Sequence, residues 1–599
     1  MRSVIPATLL LPLRRALHWI NRGDDVSEKT WLLVLAVIVG VGGGYGAVAF
    51  RALIEGFHHL FFVTLRGPLS FMGDAYVVVL PALGGALVGP LVYFLAREAK
   101  GHGVPEVMEA VARRGGVIRP RVAVVKSLAS SICIGSGGSV GREGPIVQVG
   151  SAIGSTIGQL LRLDRAKLRS VVACGAAAGV AATFNAPLAG AFFALDVILV
   201  EWGAEAFAPV VAASVTAAAI GRSHFGDIPA FAVPPYALSA FSELPLFLLL
   251  GLVCACGGVL FTRTLYYAED LWNDVPLPQW LLPVIGGLMV GIIGLFRPEV
   301  FGVGYEAMQR VLTERSVGIL LPLVLFGSKL IATSTTIGSG GSGGVFAPSL
   351  FMGAMLGAAL GAICHAVFPF ADTSPGAYAL VGMAALFAAT SHAPITAVLI
   401  VFELTMDYRL ILPLMLACGV STITARLLYR FSIYNLKLVR RGIHITLRQD
   451  AALLNHITVA SAMTEDVLSI PPDMPVEAVQ RRFEETKHHG FPVVDAAGKL
   501  RGLVTIGDAQ RAIRRGKKSA PAMAVATHDL IVCFPDETLN DALRKLGLRN
   551  VGRLPVVDRD DHQRLLGLIT RKNIISAYNR ALLAGHTRLE ETLVSEHFD

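Results

Sequence analysis

GSGGSVGREGPIVQVGSAIGSTIG, residues Gly135 to Gly158, joins a glycine-rich loop to an apolar helical pattern, with Arg142 and Glu143 at the junction. Glycines leave backbone N–H groups open, and a helix start adds the positive end of a dipole. Such a loop attracts anions. A second copy follows, for Gly338 to Gly361 reads GSGGSGGVFAPSLFMGAMLGAALG. At a constant offset of 203, Gly135, Ser136, Gly137, Gly138, Ser139, Gly141, Pro145, Gly150, Gly154 and Gly158 all recur. GAAAGVAATFNAPLAGAFFALD (Gly175–Asp196) likewise matches GMAALFAATSHAPITAVLIVFE (Gly382–Glu403) at offset 207, so that acidic Asp196 returns as Glu403. The chain contains itself twice. Hydropathy this irregular leaves open whether the halves run parallel or inverted.

The residues around these blocks are apolar. Hydrophobic residues make up 53% and charged residues 16% of the 599, with a mean hydropathy of +0.60. These values place most of the chain in lipid. Apolar stretches lie near 31–53, 75–95, 122–134, 146–161, 169–200, 205–220, 245–266, 281–296, 317–332, 345–369, 376–402 and 409–428. Several are too short to cross roughly 30 Å of hydrocarbon at about 1.5 Å per residue. Broken helices are tolerated in a membrane only where they are buried or line a polar cavity, and pairs of them in two halves point to a transport site.

The other bulk features narrow the function. The net charge of +8 reads as cytoplasmic loop charge rather than a nucleic-acid footprint. None of the seven cysteines has a CxxC or Cys/His ligand spacing, so they read as small buried hydrophobes without a metal. With no nucleophile–base or metal constellation, an enzyme is disfavoured. Residues 1–30 read as an N-terminal helix at the cytoplasmic surface, held by Arg14, Arg15 and Arg22.

After Leu428 the chain turns charged, 441–458 reads as a linker, and from Val459 the composition is that of a soluble protein. It repeats again over 459–516 and 517–582, ahead of an acidic tail at 583–599. Each unit has an amphipathic helix, a strand (FPVVD, LPVVD), a turn, a second strand (LRGLVT, LLGLIT) and a closing helix. This alternation predicts a small α/β unit.

Four segments in order, Gly101-His102-Gly103-Val104-Pro105, Gly141-Arg142-Glu143-Gly144-Pro145, Gly344-Val345-Phe346-Ala347-Pro348 and Tyr434, together with FNAPLAG, resemble the CLC family of chloride channels and proton-coupled chloride exchangers of bacterial type. The likeness covers roughly residues 30 to 440. It implies an α-helical multi-span membrane protein, an inverted-repeat bundle of broken helices over 31–440 with repeats at about 31–222 and 240–440. It also implies a homodimer in a lipid bilayer, placed by its bacterial type in the inner membrane, with one path for small anions in each subunit. Chloride would be held by His102, Gly103, Arg142, Glu143, Gly144, Val345, Phe346 and Tyr434, chiefly through amides and helix N-termini. Partial charges bind an anion and let it go, whereas a full charge in low dielectric holds it. Glu143 would be the external gate, and Pro145 follows the chloride rather than a fluoride pattern.

The residues depart from that pattern at two places. His102 stands where the family has a serine, and Val197 stands where its exchangers carry an inner, proton-passing glutamate. The Asp196-Val197 pair resembles channel members, so the leading expectation is passive chloride conduction gated by Glu143. The alternative is a proton-coupled chloride exchanger, its protons passing by water or His102.

The tail resembles a CBS domain pair, which implies a cytoplasmic regulatory module. His489 to Val493 fit the strand signature, and Thr505-Ile506-Gly507-Asp508 fits an element contacting the ribose of an adenine nucleotide. The second unit carries Thr570 and Asn573 there. A remote alternative is a membrane-anchored adenine-nucleotide sensor. Plainer expectations complete the reading: Asp196 and Glu403 at helix ends or in ion pairs, Lys126 as an ion-pair partner, Glu106 and Glu109 on a solvated vestibule face, and Gly150, Gly154 and Gly158 for close helix packing.

Overall fold

The computed structural model describes residues 25–200, 204–227, 231, 233–234, 241–314, 318–368, 374–443, 454, 457–548 and 551–581. Most of the N-terminal helix expected over 1–30, most of the linker and the acidic tail lie outside them. The chain divides into two compact units, Met1–Ile445 and Thr446–Asp599.

The first unit is helical. Its elements are α1 (Asp25–His58), α2 (Tyr76–Pro90), α3 (Val104–Arg113), α4 (Arg121–Gly135), α5 (Glu143–Leu160), α6 (Arg165–Phe184), α7 (Pro187–Phe193), α8 (Ala204–Phe225) and α9 (Leu244–Asn273). Then come α10 (Leu282–Phe296), α11 (Tyr305–Thr313), α12 (Leu320–Gly338), α13 (Phe346–Val367), α14 (Pro375–Ser391), α15 (Pro394–Thr405), α16 (Ile411–Leu428) and α17 (Asn435–Arg440). Eight helical stretches among the described residues are long and apolar enough to cross a membrane, and four more are apolar but shorter. Wide faces of α1, α9, α10 and α16 carry exposed Leu, Ile, Val and Met. That surface suits lipid and not water. The protein is a multi-pass membrane protein.

The internal repeat is visible as recurring contacts. A Cβ on Gly150 of α5 would run into the Gly175 carbonyl of α6, and a Cβ on Gly175 into the Gly150 carbonyl. The second half repeats this with Gly353 of α13 and Gly382 of α14. Only glycine lets the two backbones come this close. The apolar runs 169–200 and 376–402, which read as single stretches, are each broken after one helix. Asn185 and His392 stop α6 and α14 in the left-handed conformation, at φ 57° and 58°. Pro187 and Pro394 then open α7 and α15. His392 thus serves as the left-handed stop of α14.

The second unit holds two matching halves. One has α18 (Val476–Thr486), antiparallel β1 (Gly490–Val494) and β2 (Leu500–Thr505), and α19 (Ile506–Arg514). The other has α20 (Leu539–Leu548), antiparallel β3 (Arg553–Val557) and β4 (Leu565–Thr570), and a helix over 571–581. Each half buries its own apolar cluster, Phe483 stacking on Phe491 at 4.7 Å in the first and Leu539, Leu554 and Ile569 meeting in the second. Burial pushes the Cys533 thiol up to about 12, so it stays protonated at neutral pH.

Candidate functional site

The glycine loops of the two halves meet. Gly141 N–H donates to the Gly344 carbonyl at 2.8 Å, and Gly344 N–H returns the bond to Gly141 at 2.6 Å. The loop ahead of α3 joins them, Gly101 N–H reaching the Gly341 carbonyl at 3.1 Å and Gly343 N–H the Gly101 carbonyl at 3.3 Å. Three segments far apart in the chain are thus tied through backbone alone. Their packing leaves no space for side chains: a Cβ on Gly144 would strike the His102 carbonyl, and Gly103 sits at φ 81°. Helices α3, α5 and α13 all begin at this junction, bringing three positive dipole ends together.

Glu143 occupies that junction. It is 2% exposed. Its Oε2 accepts from the Ala347 N–H at 3.3 Å, in the first turn of α13, and its Oε1 from the Tyr305 hydroxyl at 3.4 Å. The carboxylate is held as a small anion would be held, by an amide at a helix start and a phenol. Beside it is a cavity of about 10 Å³, room for about one water-sized occupant. Gly144, Phe346 and Tyr434 line it with Val104, Phe184 and Phe193, and no cationic side chain is among its lining residues.

The other expected residues fall around it in different ways. Arg142 makes no ion pair with Glu143; it reaches the Thr183 carbonyl at 3.4 Å and lies over the Phe184 and Tyr305 rings. Val345 and Phe346 are buried at the start of α13, though the amide that holds the carboxylate is one residue on, at Ala347. The His102 and Tyr434 rings lie 6.0 Å apart. Val197 is buried in a π-helical turn, Ala194–Leu199, and brings no polar group.

Several plainer expectations change. Lys126 is not an ion-pair partner. Its ammonium donates to the Ala99 and Gly101 carbonyls at 3.0 and 2.7 Å, pinning the loop ahead of α3. Lys329, which the sequence reading passed over, does the same to Val300 and Gly302 at 3.0 and 2.8 Å. Glu106 and Glu109 are not on a solvated face either. Arg441 bridges both, at 2.8 and 3.2 Å, and Arg114 holds Glu109 at 2.7 Å. Glu403 keeps the helix-end role, accepting from Leu188 and Ala189 N–H at the start of α7. Asp196 faces the Thr396 hydroxyl.

Tyr305 is the functional candidate that sequence reasoning missed. A signal existed: Gly302-Val303-Gly304-Tyr305 repeats Gly101-His102-Gly103-Val104 at offset 201. Tyr305 also lines a cavity of about 790 Å³, together with His58, Glu299, Glu306 and Arg310 among others.

In the second unit, Thr505 and Asp508 close a capping box at the start of α19, and Arg511 pairs with the same carboxylate. Asn573 accepts from the Thr570 N–H at 3.1 Å and donates to the Ala462 carbonyl and the Thr464 hydroxyl. The first acid is thus engaged by its own helix end, and the second amide ties two segments together.

A protein-family model described as voltage gated chloride channel matches residues 84–426, more than half the chain, across every loop of this junction. The chain belongs to this family. A CBS domain model matches 459–515 and 522–580. Among family members, an H(+)/Cl(-) exchange transporter, ClcA, of Vibrio parahaemolyticus is 34% identical over 446 residues, covering 72% of this chain and 93% of the relative. Chloride channel protein CLC-f of Arabidopsis thaliana is 27% identical over 637 residues, covering 91% of this chain and 80% of that one. The solved structure of a slow cyanobacterial Cl-/H+ antiporter superimposes with a TM-score of 0.64 at 26% identity, covering 70% of this chain and 99% of that one.

Proposed function

We propose that this protein exchanges chloride for protons across a membrane, with Glu143 as the gate that both ions must pass. The observation that carries this reading is the Glu143 carboxylate itself, lodged on the Ala347 amide at a helix start where an anion would sit. An ionised Glu143 competes with chloride for that place; a protonated one gives it up. One group then links the two movements. Relatives of 34% identity and above that carry the exchanger name support this reading over the passive conduction first expected from Val197. Conduction remains the second reading, favoured by the apolar Val197 and by relatives of 35% and 36% identity that carry the chloride channel name.

Around that gate, Val345, Phe346 and Ala347 supply the amide end of α13, Gly103 and Gly144 let α3 and α5 approach, and Tyr434 closes the side facing His102. The protein works as a homodimer in a bacterial inner membrane, with the CBS pair on the cytoplasmic side. An adenine nucleotide at Thr505 and Asp508, with Thr570 and Asn573 in the second half, would have to compete with the cap and with Arg511 for the Asp508 carboxylate. The test is direct. An imposed chloride gradient across proteoliposomes should drive protons against their own gradient, and Glu143→Gln should stop this while chloride still flows.

A further inference from the structure

His102 is 1% exposed, and its ring has one nitrogen accounted for and one open. The Tyr266 hydroxyl donates its single proton to the Ile433 carbonyl at 2.6 Å. Its contact with His102 Nε2, at 3.4 Å, therefore has the ring donating and the phenol accepting. This hydrogen-bond pattern assigns the proton to Nε2. Nδ1 is left as a bare lone pair, buried and without a partner among the described residues. An orphaned buried acceptor costs about 1–3 kcal/mol unless something binds it.

Its surroundings say what that is. The Tyr434 ring of the anion cavity is 6.0 Å from the imidazole, and the His102 carbonyl lies against Gly144, next to the gate. The charged groups that face it are the Lys437 and Lys126 ammoniums and the Arg441 guanidinium, from α17, α4 and the turn after α17. Arg441 is engaged by Glu106 and Glu109 of α3, and Lys437 lies 3.8 Å from Glu269 of α9. The phenols of Tyr266 and Tyr434 complete the ring of titratable groups. A cation has little support in such company, and a chloride ion beside it would supply the missing charge.

We propose that His102 is a proton-carrying residue of the exchange, binding a proton at Nδ1 when chloride occupies the neighbouring site. The inference rests on the exchanger reading above. An N–H bond forms at the Nδ1 lone pair, Nε2–H stays on Tyr266, and the imidazolium gives up the same proton when the anion leaves. The proton held at His102 then depends on the anion in the neighbouring site, which links the two occupancies. Asp196 is the rival acid. Its carboxylate accepts from the Thr396 hydroxyl, and neither it nor the imidazole is among the residues lining the cavity.

The test uses the full-length protein in liposomes with a fixed chloride gradient, reading chloride flux and the reversal potential as the pH gradient is changed. Wild type, His102→Gln, Tyr266→Phe and Asp196→Asn are compared. The expected result is that H102Q lowers proton flux relative to chloride flux by about a hundredfold or more, the scale for removing a positioned proton-transfer group. Y266F, which keeps the imidazole and frees its tautomer, should show a smaller loss in the same direction. Wild-type coupling in H102Q overturns the role of His102, and wild-type coupling in Y266F does so where H102Q fails to insert. Loss of coupling in D196N with H102Q unaffected assigns the proton to Asp196 and also overturns it. A wild type whose reversal potential ignores pH removes the exchanger reading itself, and the inference with it.

Discussion

The loops ahead of α5 and α13 share a backbone and differ in chemistry. Arg142 and Val345 precede the two helices with nearly the same conformation, at φ −89° and −100°. At offset 203, however, Arg142-Glu143-Gly144 in the first half faces Val345-Phe346-Ala347 in the second. The same holds one loop earlier, where His102 and Val104 correspond to Val303 and Tyr305 while Lys126 and Lys329 pin the two loops alike. The repeat builds the frame, and the places where it is broken carry the polar and titratable groups. Glu143 has the side chain that its twin Phe346 lacks, and it uses the amide of Ala347, which is the twin of Gly144.

Removing the proposed gate should give the largest effect. Glu143→Ala should abolish the pH dependence of transport while leaving chloride flux, read as chloride efflux from liposomes over a range of pH; a folded variant without any flux would show that Glu143 holds the path rather than closing it. Next comes the asymmetry between Gly144 and Ala347. Gly144→Ala should cost several kcal/mol, because its methyl would strike the His102 carbonyl, and the folded yield in detergent should fall sharply. Ala347→Gly removes only a methyl and should be near neutral by the same assay.

The lysines sharpen the comparison from the other side. Lys329→Met removes the ammonium that holds the Val300 and Gly302 carbonyls, at about 1–3 kcal/mol for each carbonyl left orphaned. Lys126→Met should cost less, because the Ala99 and Gly101 carbonyls keep the Ser342 hydroxyl and the Gly343 N–H. Equal losses of thermal stability would show that these second donors contribute nothing. A smaller effect is expected of Tyr305→Phe, which deletes one 3.4 Å bond to the gate and should shift its pH dependence without removing it.

The CBS half-units allow the smallest test. The Thr538 hydroxyl and N–H hold the Asp541 carboxyl below the usual carboxylate range. A lowered folded value means that the contribution is fully present above a pH of about 4 and is lost as the pH falls through the folded value. The group is exposed, so screening keeps the contribution within a few tenths of a kcal/mol. Thr538→Ala should therefore lower the acid resistance of the second half by a small amount, measured by limited proteolysis between pH 3 and 5.

The sequence was most informative where the physics is local. Glycine spacing, the proline after each break and the run of apolar residues are set by backbone and burial, so the duplicated helices, the junction residues and the α/β halves were legible without coordinates. What was not legible depends on contacts between distant segments. Lys126 looked like half of an ion pair because the carbonyls it binds carry no sequence signal. Tyr305 looked like any aromatic until its hydroxyl was seen on Glu143. Glu106 and Glu109 looked solvated because Arg441, more than 300 residues later, cannot be paired with them by spacing. Val197 shows the same limit: its apolar side chain says only that this position offers no proton, and the buried imidazole with an open nitrogen against the start of α5 carries no sequence signal of its own.

The central claim, that chloride and proton movements are linked through Glu143, is tested most directly by the reversal potential of the purified wild-type protein in liposomes. The chloride gradient is held fixed and the pH gradient alone is changed. The account predicts a reversal potential that moves with the pH gradient. A value that stays at the chloride equilibrium potential would contradict it and leave a passive chloride channel.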